Sequence, residues 1–247
     1  MAVLEGGACA FLAGLASLEV HHWVSGGTLR SLEPGWLEPA LHVSVLGAVG
    51  LLLLLLAVRS GRFVIAVAAR VVGGLALAGG IILIAANPVI TDEPVGAALF
   101  WNALLPGYAV PALLAVAAVA AGAPSRRLLA SYAVAALFMW ITLTVRHAFH
   151  REGMGVEIGI EDAELWAYSG AWLLMGGGLM AVGLRAGVRS LRLAALALVG
   201  LAAAKVFLLD MAGLDGLWRV LSFLGLGVSL IGLGAFYRRQ AGAPSPS

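Results

Sequence analysis

Apolar runs of about 20 residues follow one another along the chain and are separated by short polar segments. A helix needs roughly 20 apolar residues to cross a bilayer core about 30 Å thick. The pattern therefore predicts an all-α, polytopic membrane helix bundle with about eight transmembrane helices. The predicted spans are Leu4–Trp23, Ala40–Val58, Ile65–Ala86, Leu99–Ala121, Leu128–Ala148, Trp166–Leu184, Leu191–Met211 and Leu217–Tyr237.

Composition supports the membrane interpretation, because 62% of the 247 residues are hydrophobic and only 11% are charged. Soluble domains carry about 25% charged residues, so the outer surface is expected to face lipid, and a nucleic-acid-binding module is excluded. We expect one transmembrane domain over residues 1–239 and a disordered cytoplasmic tail over residues 240–247. Within the fourth span, Pro106 and Pro111 should kink the helix and leave carbonyls that need partners.

A weak internal sequence similarity divides the chain into two halves. The segment "LEVHHWVSGG" ends the first span and "LTVRHAFHREG" ends the fifth, with His22 and His147 lying 125 positions apart. Ser44 and Ser169 show the same spacing. Each echoed segment precedes an acidic loop, a span, an arginine-bearing turn and another span. We therefore predict two parallel four-helix repeats, residues 1–122 and 123–239, with the same orientation in the membrane.

The basic residues are divided unequally between the two sides of the predicted bundle. Ten of the fifteen fall on one side: Arg59, Arg62, Arg70, Arg126, Arg127, Arg185, Arg189, Arg192, Arg238 and Arg239. The positive-inside rule makes that side cytoplasmic and places both termini there. Twelve of the thirteen acids, all five histidines and all seven tryptophans map to the other side. If the protein has a site, we expect it to open outward.

Three segments resemble one known family. They are "NALLPGYAVPALL" (102–114), "TVRHAFH" (144–150) and "KVFLLDMAGLDGLWRVLSFLGLG" (205–227). Through them the chain resembles the C-terminal part of an uncharacterised family of bacterial multi-pass membrane proteins, domain of unknown function 2339. Members of that family are usually longer, with many more preceding spans, and this chain of about eight spans departs from that pattern. The resemblance implies the bacterial cytoplasmic membrane and no specific activity.

Lys205 is the first candidate site residue, because it is the only lysine in the chain and lies within the seventh span. A lysine at that depth must snorkel, pair or lose its proton. We predict that Lys205 is buried near the extracytoplasmic side and contacts an acid. Asp210, Asp215 and Arg219 follow it and complete the candidate group. The cluster is either an anion or proton site, or a structural ion pair that locks the last two helices together.

A second candidate cluster lies where the fifth span ends. Its members are basic and acidic side chains that could bind a ligand or form ion pairs, with His22 as the counterpart in the first half: Arg146, His147, His150, Glu157, Glu161 and Glu164. His147 and His150 are three residues apart, so one helical face can present both, and they are the only metal candidates. Their spacing matches no closed metal motif, so we expect no metal or other cofactor.

Three classes of function remain open on the sequence alone. The favoured interpretation is outward-facing ligand binding or transport across the bacterial cytoplasmic membrane. The alternatives are an envelope-metabolism enzyme that uses the histidine and carboxylate rim, and a structural or assembly subunit of a membrane complex. Enzymatic activity is the less expected outcome. The expected partners are the lipid bilayer, a small-molecule or lipid-linked ligand at the extracytoplasmic face, and a membrane-protein partner or second copy.

Overall fold

The structure, a computed structural model, describes residues 2–26 and 35–210 together with residues 227 and 231. Over those residues the regular structure is helical throughout, which confirms the predicted all-α membrane bundle. The α-helices are α1 Ala2–Val24, α2 Leu37–Ser60, α3 Phe63–Ala85, α4 Pro88–Thr91, α5 Val110–Ala120, α6 Arg126–Phe149, α7 Asp162–Arg185 and α8 Arg189–Lys205. Two π-helical turns adjoin them: Leu105–Ala109 before α5, and Val206–Asp210 after α8.

Six helices in the described ranges are long and apolar enough to cross a membrane. They correspond to predicted spans one, two, three, five, six and seven, and the last of them reaches Leu208. The predicted eighth span, Leu217–Tyr237, and the tail from residue 240 lie outside the described residues. The chain is thus a polytopic membrane protein with several crossing helices.

The fourth predicted span begins later than its apolar run suggests. Its helix starts at Leu105 instead of Leu99 and is shorter than the six long ones. Asn102 explains the late start, because its side-chain oxygen accepts a hydrogen bond from the Leu104 amide at 3.0 Å and its amide group donates to Ala98 O at 2.9 Å. These bonds fix the last part of an irregular segment, residues 92–103, that precedes the helix.

Of the two prolines of that span, Pro106 lies within the π-helical turn and Pro111 lies two residues after its end. A proline donates no backbone hydrogen bond, so carbonyls beside it need other donors. Ser44 of α2 supplies one of them, with its Oγ donating to Pro106 O at 2.5 Å. Gly107 lies against the ring of Trp36, where a larger residue would collide with the indole. The distortion therefore lets two helices approach closely while their polar atoms stay bonded.

Residues 1–160 form one compact unit, called unit 1. Its largest core cluster joins α2, α3, α6 and the π-helical turn around two aromatic side chains. The ring centroids of Trp36 and Tyr108 are 5.3 Å apart. Both rings also bond backbone at the end of α3, because Trp36 Nε1 donates to Ala86 O at 3.2 Å and Tyr108 Oη donates to Leu83 O at 2.7 Å. Their polar atoms are thereby satisfied inside an apolar core.

Residues 161–247 form the second compact unit, called unit 2. Its described part is an antiparallel hairpin of α7 and α8 that turns at Gly187, whose φ of 66° favours glycine. Gly176 lies against Val199, and Gly183 lies against the backbone of Arg192. A side chain at either glycine would force the helices apart, so small residues set the close packing of this pair.

The division into units follows contacts and does not coincide with the predicted repeat boundary between residues 122 and 123. The units describe which residues pack together, whereas the repeats describe similarity between two parts of the sequence. The two parallel four-helix repeats therefore stay a prediction.

Candidate functional site

Lys205 closes α8 and is buried, with 9% of its surface exposed. Its Nζ donates to Leu165 O at 2.7 Å and to Ser169 Oγ at 3.0 Å. Both acceptors belong to α7, so the ammonium group joins the two helices of unit 2. This placement gives the lysine the polar contacts that a charge in hydrocarbon requires.

A carboxylate lies beside those acceptors in the sequence of α7. Glu164 has no exposed surface and accepts a 2.7 Å hydrogen bond from Tyr168 Oη. The Tyr168 ring lies 6.2 Å from that of Trp172, one turn further along the helix. One helix pair therefore carries a buried ammonium and a buried carboxyl group, the chemistry of a proton or anion site. Direct contact between Lys205 and an acid stays a prediction.

Arg146, near the end of α6, is buried inside unit 1 and surrounded by backbone carbonyls. Its Nη2 donates to Ile158 O at 2.6 Å and to Gly155 O at 3.0 Å, and its Nη1 donates to Gly159 O at 3.1 Å. Its Nε reaches Met154 O at 3.4 Å. The loop after α6 thus folds back around the guanidinium, whose planar array of donors suits several acceptors at once.

His147 follows Arg146 and has a different environment. Only 1% of its surface is exposed, and neither ring nitrogen has a hydrogen-bond partner among the described residues. The backbone of Gly96 and Ala98, in the irregular segment before α5, lies close enough to interact weakly with the ring, but neither contact has full hydrogen-bond geometry. Most buried polar groups in proteins are bonded, and an exception calls for an explanation such as a ligand, a water or a catalytic role.

The other predicted site residues are dispersed. His150 follows the last residue of α6 and is half-buried, whereas His22, Glu157 and Glu161 are exposed. Asp210 ends the second π-helical turn, but its side chain lies outside the described part of the structure. Asp215 and Arg219 also lie outside the described residues. In the described ranges no three His, Cys, Asp or Glu side chains converge as a metal site would require.

Three polar residues with described contacts were not among the candidate site residues of the sequence analysis. Tyr168 lies four residues after Glu164, so helical spacing from an intramembrane acid is a signal that could have found it. Ser169 lies five residues after Glu164, on a different face of the helix, and has no such signal. Glu38 is the third: its Oε1 lies 2.8 Å from His21 Nδ1, and the pair joins α1 to α2. The two residues are 17 positions apart in the sequence, so no short-range pattern indicates that contact.

Comparisons with known proteins identify a family without a named activity. No curated protein and no solved structure matches the chain significantly. A family described as "Predicted membrane protein (DUF2339)" matches residues 1–240. The match extends well beyond the three segments that carried the resemblance and covers nearly the whole chain. This chain therefore belongs to the DUF2339 family of predicted membrane proteins.

Proposed function

We propose that the protein binds a small polar ligand at an outward-facing site in the bacterial cytoplasmic membrane, as a binding protein or as part of a transport cycle. In this proposal both termini are cytoplasmic, so the end of α6 faces outward. The site lies in unit 1, between the end of α6 and the irregular segment over residues 92–103. Its central binding group is His147.

One observation carries this proposal: the imidazole of His147 is buried and both of its nitrogens lack partners among the described residues. A neutral imidazole offers one donor and one acceptor. Leaving such groups unpaired costs about 1–3 kcal/mol each. A small ligand with a donor and an acceptor of its own would recover that cost, which gives the ligand a reason to bind there.

The neighbouring Arg146 supports the assignment through the loop that it organises. Its guanidinium is occupied by the carbonyls of Met154, Gly155, Ile158 and Gly159, so it fixes the loop after α6. Asp92, which begins the irregular segment, lies close to Gly155 in the same loop. The two segments therefore meet at the outward end of unit 1, where opening and closing could control access to His147.

The replacement His147→Phe tests the proposal. Phenylalanine keeps the approximate shape of the ring and removes both nitrogens, so the free protein should be as stable as the wild type or more stable. We expect native mass spectrometry of the full chain in mild detergent to show a bound small molecule on wild type that His147→Phe lacks. Leu143→Met, one helical turn away, is the matched control and should retain the adduct.

The same measurement separates ligand binding from the other classes. If the wild-type protein carries no adduct and the His147→Phe variant gives the same mass spectrum apart from the substitution, the result would favour a scaffold and contradict the proposal. The buried Lys205 and Glu164 of unit 2 favour the transport form, because intramembrane ionisable groups commonly carry protons or ions. In that form, Lys205→Arg should fold and lose function, since arginine does not release its proton.

A further inference from the structure

An elongated apolar cavity of about 280 Å³ lies within unit 1, between α2, α3, α5 and α6. It follows α2 from Val43 to Leu54, about 16 Å at 1.5 Å per residue. Tyr132 borders it, with its ring lying against Gly80 of α3. Four of the lining residues have no side chain: Gly47, Gly50, Gly73 and Gly74. The cavity is therefore long and lined mainly by apolar residues.

The short length of α5 creates an entrance to this cavity. Gly47 of α2 faces Leu114 of α5, and Ala40 of α2 faces Gly107 of the π-helical turn before α5, so both contacts join residues 67 positions apart. The two helices therefore run parallel, and Ala120 at the end of α5 is level with Leu53. Because α2 continues to Ser60, the turn after α5 stops about 10 Å short of the turn after α2. A recess therefore remains between the level at which α5 ends and the level at which α2 ends.

Arginines stand at this entrance. Gly50 packs on Gly73, which places Arg70 of α3 level with the end of α5. Arg70 is exposed and lines the cavity; its Nε donates to Ala66 O at 3.2 Å, and its two terminal amino groups bond no described residue. Arg126 Nη2 lies beside Gly122, in the turn after α5 that borders the recess. An apolar cavity thus opens next to two positive charges.

We propose that the cavity holds one acyl chain of an anionic phospholipid, with the lipid phosphate bound by Arg70. The elongated apolar shape suits a hydrocarbon chain, and a guanidinium with free amino groups matches phosphate oxygens. Basic residues at this depth attract the anionic lipids of the cytoplasmic leaflet. The site is separate from His147, which lies at the other end of α6, so either proposal can fail alone.

Native mass spectrometry of the full chain in detergent, titrated with phosphatidylglycerol or phosphatidylcholine, tests the inference. We expect one phosphatidylglycerol to bind at least tenfold more tightly than phosphatidylcholine. Gly73→Leu and Gly74→Leu should weaken that binding at least tenfold by filling the cavity. A Cβ at either position meets no atom within 4 Å, and leucine favours helix more than glycine does, so both variants should fold. Gly177→Leu, at an exposed glycine of α7 with equal space, is the matched control.

Arg70→Gln separates the headgroup from the chain. It should reduce phosphatidylglycerol binding to the level of phosphatidylcholine without affecting the weaker binding of the latter. Equal binding of the two lipids to wild type would overturn the role of Arg70. Unchanged binding to both cavity-filling variants would place the lipid elsewhere on the surface and overturn the cavity assignment, as would the absence of any tightly bound lipid.

Discussion

Arg146 in unit 1 and Lys205 in unit 2 each place a basic side chain in a buried region near the C-terminal end of a long apolar helix. Their acceptors differ in origin. Arg146 bonds carbonyls of an irregular loop, whereas Lys205 bonds a carbonyl and a hydroxyl of the regular helix α7. The carbonyl of Leu165 also has its own helical donor, four residues later. The carbonyls around Arg146 lie outside any regular helix, although that of Gly155 also accepts a hydrogen bond from Ile158 N at 3.2 Å.

This difference indicates what each basic residue does. A loop that has few other hydrogen bonds depends on its arginine for its conformation, so Arg146 is a structural clamp. A helix keeps its backbone bonds when a lysine is removed, so we expect Lys205 to be less necessary for folding than Arg146.

The largest effect is expected for Arg146→Met. Loss of the guanidinium leaves the carbonyls of the buried residues Met154 and Gly155 without a charged donor, at about 1–3 kcal/mol each, so unfolding free energy should fall by about 2–6 kcal/mol. Thermal unfolding in detergent and protease cleavage within residues 150–160 measure the change. Arg151→Met, at the exposed neighbour, should alter neither. An Arg146→Met protein as stable as the control would contradict the hypothesis that Arg146 stabilises the loop after α6.

A smaller effect is expected for Lys205→Met, about 1.5–3 kcal/mol, because the hydrogen bonds from Nζ to Leu165 O and Ser169 Oγ are lost while Leu165 O keeps its helical donor. Protease sensitivity should rise within unit 2 and not within residues 150–160. A destabilisation as large as that of Arg146→Met would show that Lys205 is the lock between helices that the alternative interpretation of the sequence describes.

The smallest effect is expected for alanine substitutions at two glycines of the loop after α6. Both Gly155 and Gly159 supply carbonyls to Arg146, but a Cβ at Gly155 would lie 2.5 Å from Asp92 Oδ1 and one at Gly159 would meet nothing within 4 Å. Gly155→Ala should therefore cost about 1 kcal/mol, and Gly159→Ala less than about 0.5 kcal/mol. Equal thermal shifts for the two variants would contradict the packing of this loop against the segment after α4.

The sequence predicted the long helices well because an apolar run is itself the physical requirement for crossing a bilayer. The start of the fourth span was wrong, since Leu99, Phe100 and Trp101 are as apolar as a helix interior while the side chain of Asn102 holds them in an irregular segment. Residue type alone could not indicate this, because it depends on which backbone atoms one amide side chain bonds.

The candidate site was predictable in part for a related reason. Lys205 was a candidate because it is the only lysine in the chain, and the group around Arg146 was a candidate because it lies at the end of a predicted span. Their observed acceptors are mostly backbone carbonyls, which every residue possesses, so no pattern of residue types indicates them. The burial of His147 depends on the distant segment around Gly96 and Ala98, and it too has no local signal.

The most direct test of the proposed outward-facing site is the reactivity of a cysteine at His147. In a Cys9→Ala background, His147→Cys, Leu143→Cys and Glu157→Cys are each exposed in intact cells to a membrane-impermeant thiol reagent. We expect rapid labelling at Glu157, which is exposed, slower labelling at His147 through opening of the covering segment, and none at Leu143, which is buried one turn deeper. Labelling at Glu157 with none at His147 would make His147 a sealed core residue and contradict the proposal.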